Sequence, residues 1–268
     1  MKRMLTLFLA LMFVCLALSV PAAAEAAGNE MAADLLRDFL QEQFGVTIRM
    51  GKECSGCSTK EYEFVIEPEG STPFQRLVIG NRRFTDLLLI LFNALRVYPA
   101  GFFPGFMSGK YPEGLQFLLV DGISARGVPY GGVQTVGDGA LDIMLSRTGV
   151  AESSIHHELW HAMELRILEA DKHAFDKWRT LNPKGFRYSQ QDSVLAAGGQ
   201  YDEPEDWFAR EYSKTFEYED RATTFEAIMT KSADWWSTRP NLQKKAQFLL
   251  EKAKPVFGEI MNAEGEIQ

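Results

Sequence analysis

The chain has 268 residues, 46% of them hydrophobic, and a formal net charge of −8. This length and composition are those of a folded protein with a sizeable core, which argues against intrinsic disorder. The acidic balance disfavours general binding to nucleic acid or to anionic membrane surfaces, because both depend on cationic contacts.

The N-terminus is predicted to be a secretory signal peptide. Lys2 and Arg3 precede an apolar run, residues 5–20, and the small residues of PAAAEAAG follow at the spacing of a signal-peptidase site. We expect cleavage after Ala24, which leaves residues 25–268 as a single extracytoplasmic domain, in the periplasm or outside the cell. The alternative is an uncleaved anchor, since about sixteen apolar residues approach the lower limit for a membrane span.

In the mature chain, helical periodicity predicts an amphipathic helix over residues 31–44, and strands are expected at 46–50 and 61–68. The turn between these strands contains Cys54 and Cys57. In an exported protein such a pair is typical of a disulfide, although free thiols and a redox-active dithiol remain alternatives. Redox-active thiols would make the protein an extracytoplasmic thiol oxidoreductase.

The central part of the chain alternates between helix and strand. An apolar core helix is expected over 84–98, followed by an irregular segment rich in proline, glycine and aromatic residues, and then by strands at 115–123 and 140–146. The glycine-rich segment between these strands is predicted to be a connection. It is interpreted either as a plain surface hairpin or as the edge of a cleft to which an extended peptide could add.

The C-terminal part is predicted to be mostly helical, with helices at about 152–179, 204–230 and 240–253 and a long connection over 182–206. Together these elements predict one α+β domain. Its N-terminal half contains the strands, its C-terminal half is helical, and a groove lies between them.

The motif HExxH is the strongest chemical signal in the sequence. His157 and His161 lie one turn apart on one helix face, so both imidazoles can bind one zinc ion, while Glu158 can act as a general base. His156 points about 100° away from this face, which predicts a surface or supporting position. His173 is expected to be structural. Ser153 or Ser154 is expected to cap the helix.

A catalytic zinc keeps three protein ligands and one open position. The sequence lacks the further histidine of the metzincin pattern HExxHxxGxxH, so a carboxylate on a later helix is expected. Glu219 is the best candidate, because Ala222 one turn later allows close helix packing. Three neighbouring carboxylates remain alternatives for the ligand: Glu217, Asp220 and Glu226.

These motifs resemble the gluzincin metallopeptidases of the anthrax lethal factor type, in which HExxH is followed by a tyrosine and then by a glutamate in the pattern ExxAxxF. The resemblance implies a zincin-like fold with the active-site cleft between its lobes. It also implies His157, His161 and Glu219 as ligands of one Zn²⁺, and Tyr212 as a residue that stabilises the transition state. Thr223 departs from the pattern, so Asp220 or Glu226 is expected to orient a histidine instead.

The predicted function is therefore that of a secreted zinc endopeptidase acting on peptides or proteins. The ion would lower the pKa of its bound water, and Glu158 would take the proton and deliver it to the leaving amine. Neither nucleic acid nor stable membrane insertion is expected, and the sequence leaves the oligomeric state open. A secreted zinc-binding module without catalysis is the main alternative.

Overall fold

The computed structural model describes residues 22–55, 57, 62–65, 83–125, 128–147, 149–190 and 206–260. Residues 1–21 of the predicted signal peptide lie outside these ranges, as do residues 191–205 of the predicted long connection. The helices of the described part are α1 (Ala22–Phe44), α2 (Phe84–Leu95), α3 (Glu152–Ala170), α4 (Glu217–Thr230), α5 (Ala233–Ser237) and α6 (Pro240–Phe257). None of them is long and apolar enough to cross a membrane.

The strands form two sheets. They are β1 (Thr47–Met50), β2 (Glu63–Val65), β3 (Gly114–Val120), β4 (Gly122–Ala125), β5 (Val128–Tyr130), β6 (Gly132–Val136) and β7 (Ala140–Ser146). The larger sheet has the order β1-β3-β7-β6, with the first three strands parallel and β6 antiparallel to β7. The smaller sheet, β2-β4-β5, is antiparallel.

The two central strands of the larger sheet, β3 and β7, are covered on both faces, which explains their nearly continuous apolar sequences. Along β3, Leu115, Phe117 and Leu119 belong to the main core with the helices. Leu118 and Val120 belong to a second cluster, which also includes residues of the smaller sheet. The sheet is therefore a middle layer, with α2 and α3 on the helical side.

The strand prediction needs two corrections in this region. The expected strand 115–123 is interrupted at Asp121 and becomes β3 and β4, which belong to different sheets. The glycine-rich segment predicted as a connection contributes β5 and β6, which are short strands without a long alternating pattern. Strand β6 forms the edge of the larger sheet beside α3, so this segment builds a wall of the cleft.

The helix containing HExxH is shorter than predicted. It begins at Glu152 with Ala151 as its N-cap, so neither Ser153 nor Ser154 is the cap residue. It ends at Ala170 because the next residue, Asp171, accepts a hydrogen bond from the backbone N–H of His173 at 3.0 Å. His173 is exposed and pairs with Asp176, so it lies away from the core.

The predicted disulfide is not formed, because Cys54 and Cys57 are both free thiols. Cys54 is fully buried in the second cluster, with its sulfur 3.8 Å from the carbonyl oxygen of Leu119. Burial, the nearby Cys57 and Glu53 raise the pKa of its thiol to about 12. Cys54 therefore behaves as a small core residue rather than as one end of a covalent clamp.

Candidate metal centre and active site

The candidate site lies where α3 packs against α4. A buried ion pair joins the two helices: the Arg221 guanidinium donates to both carboxylate oxygens of Glu164, at 2.6 and 2.9 Å. The Trp160 indole N–H also donates to Glu164, at 3.1 Å, and the Trp160 ring contacts Phe225 of α4. Ala222 is fully buried in this interface, as expected of a small residue that allows close helix approach.

Three potential metal ligands converge at this interface. The Nε2 atoms of His157 and His161 are 3.2 Å apart, and Glu219 Oε2 lies 3.0 Å from the first and 3.5 Å from the second. The turn spacing within α3 brings the two imidazoles to one face, and the packing of α4 brings the carboxylate to them. The structure thus brings together the three predicted ligands, from two separate helices.

The separation of these atoms fits a zinc ion. Bonds of about 2.0–2.1 Å in a tetrahedron place neighbouring ligand atoms about 3.3 Å apart. The three observed separations, 3.0, 3.2 and 3.5 Å, bracket that value. Oε2 of Glu219 is also buried without a well-aligned hydrogen-bond donor, as expected of an atom whose natural partner is a cation.

The electrostatics of the three side chains favour a positive charge between them. Burial lowers the pKa of His157, but the carboxylates of Glu219 and Glu226 beside its ring outweigh burial and raise that pKa to about 10. Burial raises the pKa of Glu219, yet contacts with His157 and His161 hold it well below its usual range. A divalent cation bound between these atoms would meet this demand.

The Glu158 carboxylate lies on the side of α3 that carries His157 and His161, and it faces strand β6. It is buried and accepts a hydrogen bond from the Gln134 backbone, and burial raises its pKa. A side chain at Gly132 would lie 3.0 Å from the Glu158 Cγ. The absence of one at this position lets the strand approach the glutamate closely. A carboxylate with a raised pKa beside a metal site suits proton transfer near neutral pH.

The two carboxylates predicted to orient a histidine, Glu226 and Asp220, lie in different places. The Oε2 atom of Glu226 lies 3.5 Å from His157 Nδ1, at the ring nitrogen that does not face Glu219. Asp220 points away from the histidines and into a buried cluster, where it pairs with Lys245 at 2.7 Å and accepts hydrogen bonds from Tyr188 and Trp178. Asp220 therefore does not lie beside a histidine, because it is adjacent to Glu219 in sequence and adjacent helix positions differ in direction by about 100°.

His156 is buried and lies outside the group formed by His157, His161 and Glu219, so of the two expected positions the structure excludes the surface one. Its Nδ1 lies 2.8 Å from the Tyr98 hydroxyl, and burial lowers its pKa to about 4. Tyr98 in turn stacks on Phe102. This neutral imidazole therefore ties α3 to the aromatic segment after α2, a contact with no local signature in the sequence.

A cleft between β6 and α4 passes over the three potential metal ligands. Five residues line its centre: Tyr130, Gly132, His157, Glu158 and Tyr212. The Tyr212 ring lies 6.2 Å from the His157 ring, on a 3₁₀ helix (Glu211–Lys214) just before α4.

Sequence reasoning missed several cleft residues, among them Tyr62, Tyr130, Arg210 and Tyr218. The Tyr218 ring packs edge-on against His161 at 5.9 Å, although 43% of Tyr218 is exposed. Because Tyr218 immediately precedes the predicted ligand Glu219, that proximity is a signal that could have identified it.

No family model and no curated protein sequence matches the chain. A solved structure at 2.10 Å, of a proposed zinc-binding metallo-peptidase from Bacteroides caccae ATCC 43185, aligns with 90% of this chain and 90% of its own. The two chains are 14% identical, with a TM-score of 0.48. A likeness this distant carries no functional argument, so the interpretation of the site depends on its own geometry.

Proposed function

We propose that this protein is a zinc-dependent endopeptidase. The observation that carries the proposal is the convergence of His157, His161 and Glu219 at separations suited to one tetrahedral ion, with Glu158 buried beside them. His157 and His161 would hold the ion through Nε2, and Glu219 would hold it through a carboxylate oxygen. The bound zinc would supply an activated water and polarise the peptide carbonyl.

The chain's own groups have separate tasks in this proposal. Glu158, whose pKa is raised by burial, takes a proton from the attacking water and later delivers it to the leaving amine. Tyr212 lines the same cleft, so its hydroxyl is proposed to donate a hydrogen bond to the developing oxyanion. Both roles correspond to those implied by the gluzincin resemblance.

The cleft supports an extended peptide as the substrate. Strand β6 pairs with β7 through one of its edges, and no described strand of the larger sheet pairs with its other edge. A peptide lying along that edge would pass over Glu158 and the metal cluster, with its backbone oriented by strand-type hydrogen bonds. This arrangement suits cleavage within a chain, since residues of β6 line the cleft beside His157 and Glu158.

An open site favours catalysis over a purely structural zinc role. A cavity of about 260 Å³ lies directly beside the three ligands and Glu158. A structural zinc site is usually closed by a fourth cysteine or histidine, and no group of such residues larger than the three ligands occurs among the described residues. The buried Glu158 has no task in a structural site.

The thiol oxidoreductase alternative loses support. A reactive thiol needs a lowered pKa and access to solvent, whereas Cys54 is buried and its pKa is raised to about 12. Export remains part of the proposal, since residues 1–24 have the pattern of a signal peptide.

The Glu158→Gln substitution tests the proposed chemistry. Glutamine keeps the shape of the side chain but cannot accept the proton, so kcat should fall by about 10²- to 10⁴-fold. Zinc content should stay near one ion per chain, because Glu158 is not a ligand. Peptide-library cleavage and metal analysis on the same preparation provide both measurements. Undiminished cleavage in the variant would rule out the proposed mechanism.

A further inference from the structure

The His157 ring lies between two carboxylates of α4. Its Nε2 faces Glu219 at 3.0 Å, and its Nδ1 faces Glu226 at 3.5 Å. Glu219 and Glu226 are seven residues apart, which places them two turns apart on one helix face. A carboxylate at Nδ1 favours the tautomer with a proton on that nitrogen, and this leaves the lone pair of Nε2 directed at a metal ion.

The side chain of Arg210 holds the Glu226 carboxylate in place. The Arg210 Nη2 lies 2.9 Å from Glu226 Oε2, whereas the Glu226 side chain is only 3% exposed. A buried carboxylate is stable only when a cation or hydrogen-bond donors lie beside it. The contact with Arg210 therefore fixes the position of the Glu226 carboxylate beside the imidazole.

The backbone at Arg210 is itself fixed to α4. Its N–H donates to Ser213 Oγ at 3.2 Å, and that hydroxyl is 2.8 Å from the Thr223 hydroxyl. Both hydroxyl residues are buried. The segment Arg210–Ser213 is thus attached to α4 through Thr223 and through Glu226, at points about one and two turns after Glu219.

We propose that Arg210 is a positioning residue for the metal centre. It orients His157 through Glu226, and it does so from the wall of the substrate cleft, where it lies beside Glu158 and Tyr212. This inference rests on the proposed function, because it requires that His157 binds a metal. Arg210 acts through Glu226 and makes no contact with the reacting atoms in this proposal.

Zinc affinity, measured by chelator competition, tests the proposal without relying on activity. Loss of an outer partner of a metal-binding histidine weakens metal binding by about 10- to 100-fold, and we expect that range for Arg210→Gln. Arg210→Lys, which keeps the charge, should lose less. Arg179→Gln is the matched control. Arg179 also pairs with a glutamate of α4, Glu217, but it is exposed and lies away from the ligands. Its zinc affinity should equal that of the wild type.

A double-mutant cycle distinguishes positioning from general destabilisation. If Arg210 acts through Glu226, adding Arg210→Gln to Glu226→Gln should weaken zinc binding no further. Additive losses, equal losses in the Lys and Gln variants, or unchanged affinity in Arg210→Gln would each overturn the proposal. Should Arg210→Gln fail to fold, the comparison of Arg210→Lys with Glu226→Gln decides the question, since only the second should lose affinity about tenfold or more.

The same titrations separate the two levels of inference. A wild-type chain that binds no zinc would contradict the metal centre and the role of Arg210 with it. A wild type that binds zinc, together with an Arg210→Gln variant of the same affinity, would contradict the role of Arg210 alone.

Discussion

The two halves of the candidate metal centre are built in different ways. On α3, His157, Glu158 and His161 belong to five consecutive residues, so the geometry of one helix turn brings them to one face. On α4, Glu219 reaches the same point only because α4 packs against α3 through a buried interface. The first half is a property of local structure, whereas the second depends on the tertiary fold.

The comparison implies that the second half is more vulnerable to distant changes. Tyr212, the proposed ligand Glu219 and Glu226 all lie on α4 or on the short 3₁₀ helix before it. The contacts that hold these elements against α3 are as important for the site as the ligands themselves. Two predictions test this difference.

The largest effect is expected from breaking the ion pair between the halves. Arg221→Ala leaves the Glu164 carboxylate buried without its cation, which should reduce the free energy of unfolding by about 3–5 kcal/mol. Zinc affinity should fall as well, because α4 is no longer fixed against the histidines. Urea denaturation and zinc titration measure the two effects.

Arg179→Ala is the control for this prediction, since it removes an exposed partner of Glu217 on the same helix and should change stability little. If Arg221→Ala proves no more destabilising than Arg179→Ala, the buried pair does not join the halves as described.

A smaller effect, confined to catalysis, is expected from Tyr212→Phe. Removing the hydroxyl should lower kcat by about 10²- to 10³-fold, the usual cost of an oxyanion donor, and should leave zinc affinity unchanged. The ring would still pack beside His157, so the fold should not respond. Steady-state kinetics and zinc titration test this; a kcat within twofold of the wild type would remove Tyr212 from the mechanism.

The sequence predicts the local half of the site well. Helical spacing and the HExxH motif predict that His157, Glu158 and His161 lie together on one helix, as observed, and the apolar helix α2 and the buried strand β7 are predicted close to their observed bounds. These features have strong periodic or motif signals within a single element.

The second half of the site, on α4, is predicted only in part. Glu219 and Glu226 are among the expected residues, but Asp220 was included with them because sequence proximity alone does not reveal which carboxylate faces α3. Arg210 was missed, since its contact with Glu226 spans sixteen positions of the chain and has no local pattern. Such contacts are fixed by helix packing rather than by spacing.

Two other corrections have the same cause. Cys54 and Cys57 were expected to pair because of their spacing, whereas the fold buries Cys54 in a cluster with strands from elsewhere in the chain. The glycine-rich segment before β7 was expected to be a connection, but pairing with β7 turns part of it into β6 and thereby into the cleft wall. Neither burial nor strand pairing is determined by neighbouring residues.

The most direct test of the account is the zinc stoichiometry of the wild type and of Glu219→Ala, measured on purified protein at equal free zinc. Glu217→Ala is the matched control, since it removes a carboxylate from the same turn of α4 that is not a proposed zinc ligand. The account predicts one zinc ion per chain in the wild type and in Glu217→Ala, and a large loss of zinc in Glu219→Ala. Full occupancy in Glu219→Ala would show that the two helices do not share one metal site.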